Sequence, residues 1–269
     1  WCGAIAGTAT AVLIAFSGPL FGREPGVDPI SFQWIAPATV LVDVIKAQGL
    51  VADLFETFTP TLPRVSDKTY SFIEGTTGIL PALWRTDAPL LAAARMLRRY
   101  HDATLDFVGD GPLAWAYRYP DARRHEVICH NDFAPYNFIY GPNSIPIAVV
   151  DFDLAGPGPR LRDIAYTAYW LTPLSFQSDD MQEYAAADLQ AGSRRLKLFC
   201  ATYGTPAGAE LLTMVEEFLT YMGDEQQVAA VVGETAVAGL KAGGHLAHWQ
   251  REAAAFRQHR AEIQANLVY

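Results

Sequence analysis

Asp132 and Asn137 stand five residues apart in the run His130-Asn131-Asp132-Phe133-Ala134-Pro135-Tyr136-Asn137, and Asp151 follows Asn137 by fourteen residues. No other feature of the chain narrows its architecture as far. A carboxylate that orients an acceptor hydroxyl, with an amide and a second carboxylate that hold magnesium, are the polar parts that phosphoryl transfer needs. They are useful only if a fold lifts them to one rim. The flanking residues describe such a fold: Glu126 to Cys129 and Phe138 to Tyr140 read as short strands, and Ile145 to Val150 is an apolar run bounded by the turn Gly141-Pro142-Asn143-Ser144. Two strands joined by that turn bring Asn137 and Asp151 to the same end.

Three longer blocks carry a family resemblance. They are Val127-Ile128-Cys129-His130-Asn131-Asp132-Phe133-Ala134-Pro135-Tyr136-Asn137-Phe138-Ile139, then Ala148-Val149-Val150-Asp151-Phe152-Asp153-Leu154-Ala155-Gly156-Pro157-Gly158, then Arg162-Asp163-Ile164-Ala165-Tyr166. In this order they resemble the aminoglycoside phosphotransferase and choline kinase type of small-molecule kinase, a family with a protein-kinase-like fold. The resemblance implies an α+β bilobal architecture, with a small β-rich nucleotide-binding lobe over residues 1–70 and a mostly helical catalytic and acceptor-binding lobe over 71–269. It implies Asp132 as catalytic base, Asn137 and Asp151 as metal ligands, and Asp163 as a buried acceptor that braces the catalytic loop. His130 is then structural. The reaction implied is transfer of the γ-phosphate of ATP or GTP, with Mg2+, to a hydroxyl of a small molecule.

The residues also admit plainer roles. Asp153 either touches a second metal ion or caps the turn before Leu154. Asp163 starts a predicted helix and reads equally as an ordinary N-terminal cap. His130 reads as a satisfied core histidine in preference to a general base.

Upstream, Tyr70-Ser71-Phe72-Ile73-Glu74-Gly75 resembles the strand and linker between the family's two lobes, which implies Ser71, Phe72 and Ile73 at the adenine edge. A helix follows. Asp87 suits its N-cap and Pro89 its first turn, and Leu90, Leu91, Ala94, Leu97 and His101 share one face. The closing Tyr100-His101 pair resembles the family's pattern at this helix end, which makes His101 structural.

Residues 1–60 hold seven charged residues and a single lysine, Lys46. Val40 to Lys46 reads as a strand ending in that lysine, with Glu56 ten residues on, and the resemblance makes Lys46 the nucleotide contact. The sparse set motivates an alternative, a degenerate kinase or nucleotide-binding module without turnover. A metal-dependent hydrolase built on the Asp-rich loop is a third class, disfavoured by the lack of histidine clusters. Residues 1–22 carry no charge, yet their Gly, Thr, Ser and Pro content and missing basic flank argue against a spanning or signal segment.

The remainder sets expectations about partners. Three scattered cysteines, Cys2, Cys129 and Cys200, fit a reduced compartment, so a cytoplasmic enzyme is expected. Twenty basic against 29 acidic residues give a net charge of −9, which disfavours nucleic acid and anionic membranes and favours a cationic acceptor. Acidic residues recur after Asp179, and Asp179, Asp180 and Glu183 are candidate acceptor contacts, with solvated helix faces the plainer reading. Helices are expected over Asp179 to Tyr203, Pro206 to Met222 and Glu225 to Ala265, interrupted at Gly204, Gly223 and Gly243-Gly244. Trp170, Phe176, Phe218, Tyr221 and Trp249 are core residues or pocket walls.

Overall fold

The computed structural model describes residues 12–15, 31–34, 75–80, 82–105, 115, 117–152, 154–172, 174–176 and 188–268. Lys46, Ser71, Phe72, Ile73, Asp153, Asp179, Asp180 and Glu183 lie outside them, as does most of the expected small lobe.

The hairpin anticipated around the polar run is present. Strands β1 (Val12–Ala15), β2 (Ser31–Trp34), β3 (Thr76–Thr77), β5 (Phe138–Tyr140) and β6 (Pro146–Val150) form one sheet in the order β1-β2-β6-β5-β3. β4 (Val127–Cys129) and β7 (Gly156–Gly158) form a second, antiparallel pair. In the β5–β6 hairpin Phe138 faces Val149 and Ile139 faces Ala148. Asn137 therefore enters one strand where Asp151 leaves the other. The turn is tight because Asn143 and Ser144 both take the left-handed conformation, at φ 58°.

Eight helices complete an α+β, mostly helical architecture among the described residues. They are α1 (Ala82–Arg85), α2 (Ala88–Ala103), α3 (Arg160–Leu171), α4 (Leu189–Tyr203), α5 (Ala209–Met222), α6 (Glu225–Val232), α7 (Glu234–Ala242) and α8 (His245–Val268). α2 buries Leu90, Ala94, Leu97 and His101, the stripe expected from spacing, with Leu91 at its margin. It packs on α4, while α3 and α8 both pack on α5. One buried core runs through them, with Phe133, Phe138, Tyr169, Phe199, Phe218 and Phe256 at its centre.

Three local expectations are corrected. Asp87 occupies the N-cap position of α2 without capping it; its carboxylate accepts instead from Arg194 and Arg195 of α4. Asp163 is not a cap either, because α3 starts at Arg160 and carries Asp163 inside its first turn. The expected helix from Glu225 is interrupted at Gly233 as well as at the glycine pair, and Gly233 reverses the chain at φ 85°. No helix of the described residues is long and apolar enough to cross a membrane.

Candidate active site

Asp163 organises the loop that leads into the hairpin. Its side chain is 0% exposed and accepts the backbone N–H of His130 at 2.6 Å and of Asn131 at 2.7 Å. His101 Nε2 approaches the same carboxylate at 3.0 Å, and His101 Nδ1 lies 2.7 Å from the Tyr203 hydroxyl. Arg160 donates to that hydroxyl's oxygen, so the Tyr203 proton points to Nδ1 and the neutral His101 gives its Nε2 proton to Asp163. Burial by itself would raise the Asp163 pKa, but the bonds from His101 and the loop outweigh it and hold the carboxyl below its ordinary 3.8. Burial pushes His101 the other way, below 6.5, against the pull of Asp163.

This brace fixes a strained loop. Asn131 sits at φ 64° and Asp151 at φ 66°, a region that asparagine and aspartate tolerate better than other residues with a Cβ. Asn131 further donates its side-chain amide to the Leu154 carbonyl at 2.8 Å, tying the loop to the chain beyond Asp151. His130 is wholly buried with both ring nitrogens engaged. Its Nε2 meets the Val150 carbonyl at 3.1 Å and its Nδ1 accepts the Asp132 N–H at 3.2 Å, which defines a neutral ring with the proton on Nε2. Burial lowers its pKa. A ring spent on two backbone groups has no atom left for proton transfer to a substrate.

The Asp132 carboxylate is held by two side-chain donors. Tyr136 donates its hydroxyl to Oδ1 at 2.5 Å, and Asn137 donates its amide to Oδ2 at 2.9 Å and to the Asp132 carbonyl, also at 2.9 Å. Tyr166 of α3 lies 2.7 Å from the Tyr136 hydroxyl. Burial, and next the charge of Asp132, push the Tyr136 phenol well above 10, so it remains a donor. The carboxylate is therefore fixed in plane by donors on both of its oxygens, in the orientation a proton acceptor needs. Tyr136, Tyr166, Tyr203 and Arg160 were given no role from the sequence, although Tyr136 lies within the polar run and Tyr166 within the third block.

The donor set suits magnesium. Because the Asn137 amide nitrogen is committed to Asp132, its amide oxygen is the atom left for a cation, and Asp151 adds a carboxylate at the same end of the hairpin. Two hard oxygens meet the needs of an ion that completes its shell with water and phosphate oxygens. Among the described residues no three His, Cys, Asp or Glu side chains converge as a metal cluster.

The region holding these elements has a counterpart among known proteins. Residues 72–199 match the family model described as the phosphotransferase enzyme family, a span that takes in the loop, the hairpin and α3. No curated protein matches the chain.

Proposed function

From the match of residues 72–199 to the phosphotransferase enzyme family we propose that the chain transfers the γ-phosphoryl group of ATP or GTP to a hydroxyl of a small molecule. The observation that carries this reading is the Asp132 carboxylate, gripped by Tyr136 and Asn137 at the end of the hairpin where Asp151 also emerges. Asp132 orients the acceptor hydroxyl toward the γ-phosphorus and takes its proton late, as the bond to the β-phosphate oxygen breaks and the new oxygen–phosphorus bond forms. Tyr136 and Asn137 keep the carboxylate from rotating away, and Asp163 and His101 keep the loop from moving. When bound to Asn137 and Asp151, magnesium supplies charge neutralisation on the phosphate oxygens. Positioning of the two reactants supplies the larger part of the acceleration.

The finer parts of the reading are a bilobal division near residue 70, nucleotide contacts at Lys46 and Ser71 to Ile73, and a cationic acceptor of the aminoglycoside kind. Support for the last is the net charge of −9. A test is nucleotide consumption over aminoglycosides, choline, homoserine, sugars and macrolides, for the natural chain and for Asp132→Asn. Acceptor-dependent turnover is expected, falling by about 100-fold or more in Asp132→Asn while nucleotide affinity holds. Nucleotide binding with no turnover on any acceptor would make the chain a binding module instead.

A further inference from the structure

A cavity of about 590 Å³ opens between the segment Tyr117 to Asp121, α3, α5 and α8. None of Asp132, Asn137 and Asp151 lines it. Arg162 of α3 does, although the residue is only 5% exposed. Three rings surround its guanidinium carbon, with centroids 5.7 Å away for Tyr117, 5.5 Å for Phe218 and 5.6 Å for Tyr221. Its Nε is buried without a hydrogen-bond partner, and among the described residues no carboxylate pairs with the group.

The acids around the cavity are engaged elsewhere. Glu216 is bound by Arg257 and Arg260, Glu217 accepts the Tyr119 hydroxyl, and Asp121 is paired with Arg123. Arg162 is thus a cation taken out of water with ring faces for company and no anion. It stands in addition in the first turn of α3, where the helix dipole disfavours positive charge. Arg160 in the same turn is compensated by Asp102 and Tyr203; Arg162 is not. Burial of the neighbouring Tyr221 pushes its phenol up to about 12, so it stays a neutral donor beside the guanidinium.

We propose that this cavity binds a small organic carboxylate, with the carboxylate forked on Arg162 and an apolar body against Tyr117, Met214 and Tyr221. A guanidinium matches a carboxylate in paired hydrogen bonds, and Arg162 reaches the cavity wall with no protein anion on it. One uncompensated cation balances one negative charge. A phosphate dianion would exceed it in a cavity that also holds Glu216 and Glu217. The inference does not rest on the phosphotransferase reading, since it concerns binding without nucleotide.

Titration calorimetry and thermal melts of the full chain, without nucleotide, test it with 3-phenylpropionate and benzoate as probes. The neutral 3-phenylpropanol and inorganic phosphate serve as comparisons. At least one carboxylate should bind one to one and raise the melting temperature, with 3-phenylpropanol weaker by about tenfold or more. Arg162→Met should lose about tenfold or more in carboxylate affinity while melting no lower than the natural chain, because removing an unpaired buried cation relieves a cost. Arg162→Lys, which keeps the charge and loses the fork, should fall between them, and it decides the matter if Arg162→Met does not fold. Equal binding of the alcohol, tighter binding of phosphate, or no carboxylate binding at millimolar concentration overturns the proposal. So does an Arg162→Met chain that is much less stable yet binds as before, since Arg162 would then be a packing residue.

Discussion

At the scale of single residues, three buried groups should write themselves into the pH dependence of stability. Burial holds the His101 imidazole below its ordinary 6.5, so on acidification the unfolded chain takes up the proton first. The stability tied to His101 is complete above pH 6.5 and is lost progressively as pH falls below that value. His130, lowered by the same burial, acts in the same direction. Asp163, held below 3.8 by His101 and the loop amides, adds a further loss of the same sign below pH 3.8. Urea midpoints taken from about pH 8 to about pH 4 should decline, and His101→Gln should make the decline shallower by removing one of the imidazoles that burial lowers, His101, His130 and His245. An unchanged slope would assign the whole effect to other groups. Removing the brace altogether is harsher: Asp163→Ala strands two backbone N–H groups and the His101 donor, and should cost about 3–5 kcal/mol by chemical denaturation. At the rim, Asp151→Asn keeps a residue suited to its left-handed backbone but removes the carboxylate charge. Calorimetry with and without magnesium should show the metal-dependent part of nucleotide affinity weakened, and a magnesium dependence equal to that of the natural chain would move the cation site elsewhere.

Among the elements, the β4–β7 pair is tightened by a glycine that has no room for a Cβ. A Cβ on Gly156 would come within 1.8 Å of the Tyr117 carbonyl oxygen, a backbone atom with no rotamer to escape into. Gly156 faces Cys129, the residue before the loop, and the segment carrying Tyr117 is fastened to the same strand by the Tyr119 N–H on Pro157. Gly156→Ala must therefore push the Tyr117 segment away from β7. The expected loss is about 1–3 kcal/mol, read as a lower melting temperature, and weaker carboxylate binding should accompany it because Tyr117 forms one wall of the Arg162 cavity. A melting temperature equal to that of the natural chain would mean that the strand pair is looser than its register implies.

For the whole molecule, charge is the property that reaches furthest. A net charge of −9 attracts cations before any pocket recognises them, and the attraction is screened by salt within a Debye length of about 10 Å at 0.1 M. If the acceptor is cationic, its affinity should fall as salt rises from about 0.02 M to about 0.5 M, with hydroxyl-bearing aminoglycosides the natural probes. A neutral sugar or macrolide that binds more tightly, with no response to salt, would dispose of the cationic acceptor and leave the phosphotransferase reading intact. The carboxylate proposed for Arg162 predicts the opposite sign of ligand charge, at a cavity that none of Asp132, Asn137 and Asp151 lines, so the two ideas fail or survive separately.

What the amino-acid order determined by itself is the local chemistry. The five-residue spacing of Asp132 and Asn137, the turn residues Gly141 to Ser144 and the apolar runs on either side act over a few residues, so the hairpin that joins Asn137 and Asp151 was legible in advance. Separation hid the rest. The link from Asp163 to His101 spans 62 residues and that from His101 to Tyr203 spans 102, and no periodicity announces which buried hydroxyl will meet which imidazole. Gly233 ends a helix that apolar spacing would carry straight through, because a lone glycine in a helical pattern is tolerated until packing asks the chain to turn. In the sequence Arg162 is only the residue before a motif aspartate, with no role assigned to it. Only the packing of α3 against α5 and the Tyr117 segment buries it among three rings without an anion, since burial and side-chain direction are properties of assembled elements and belong to no single stretch of chain.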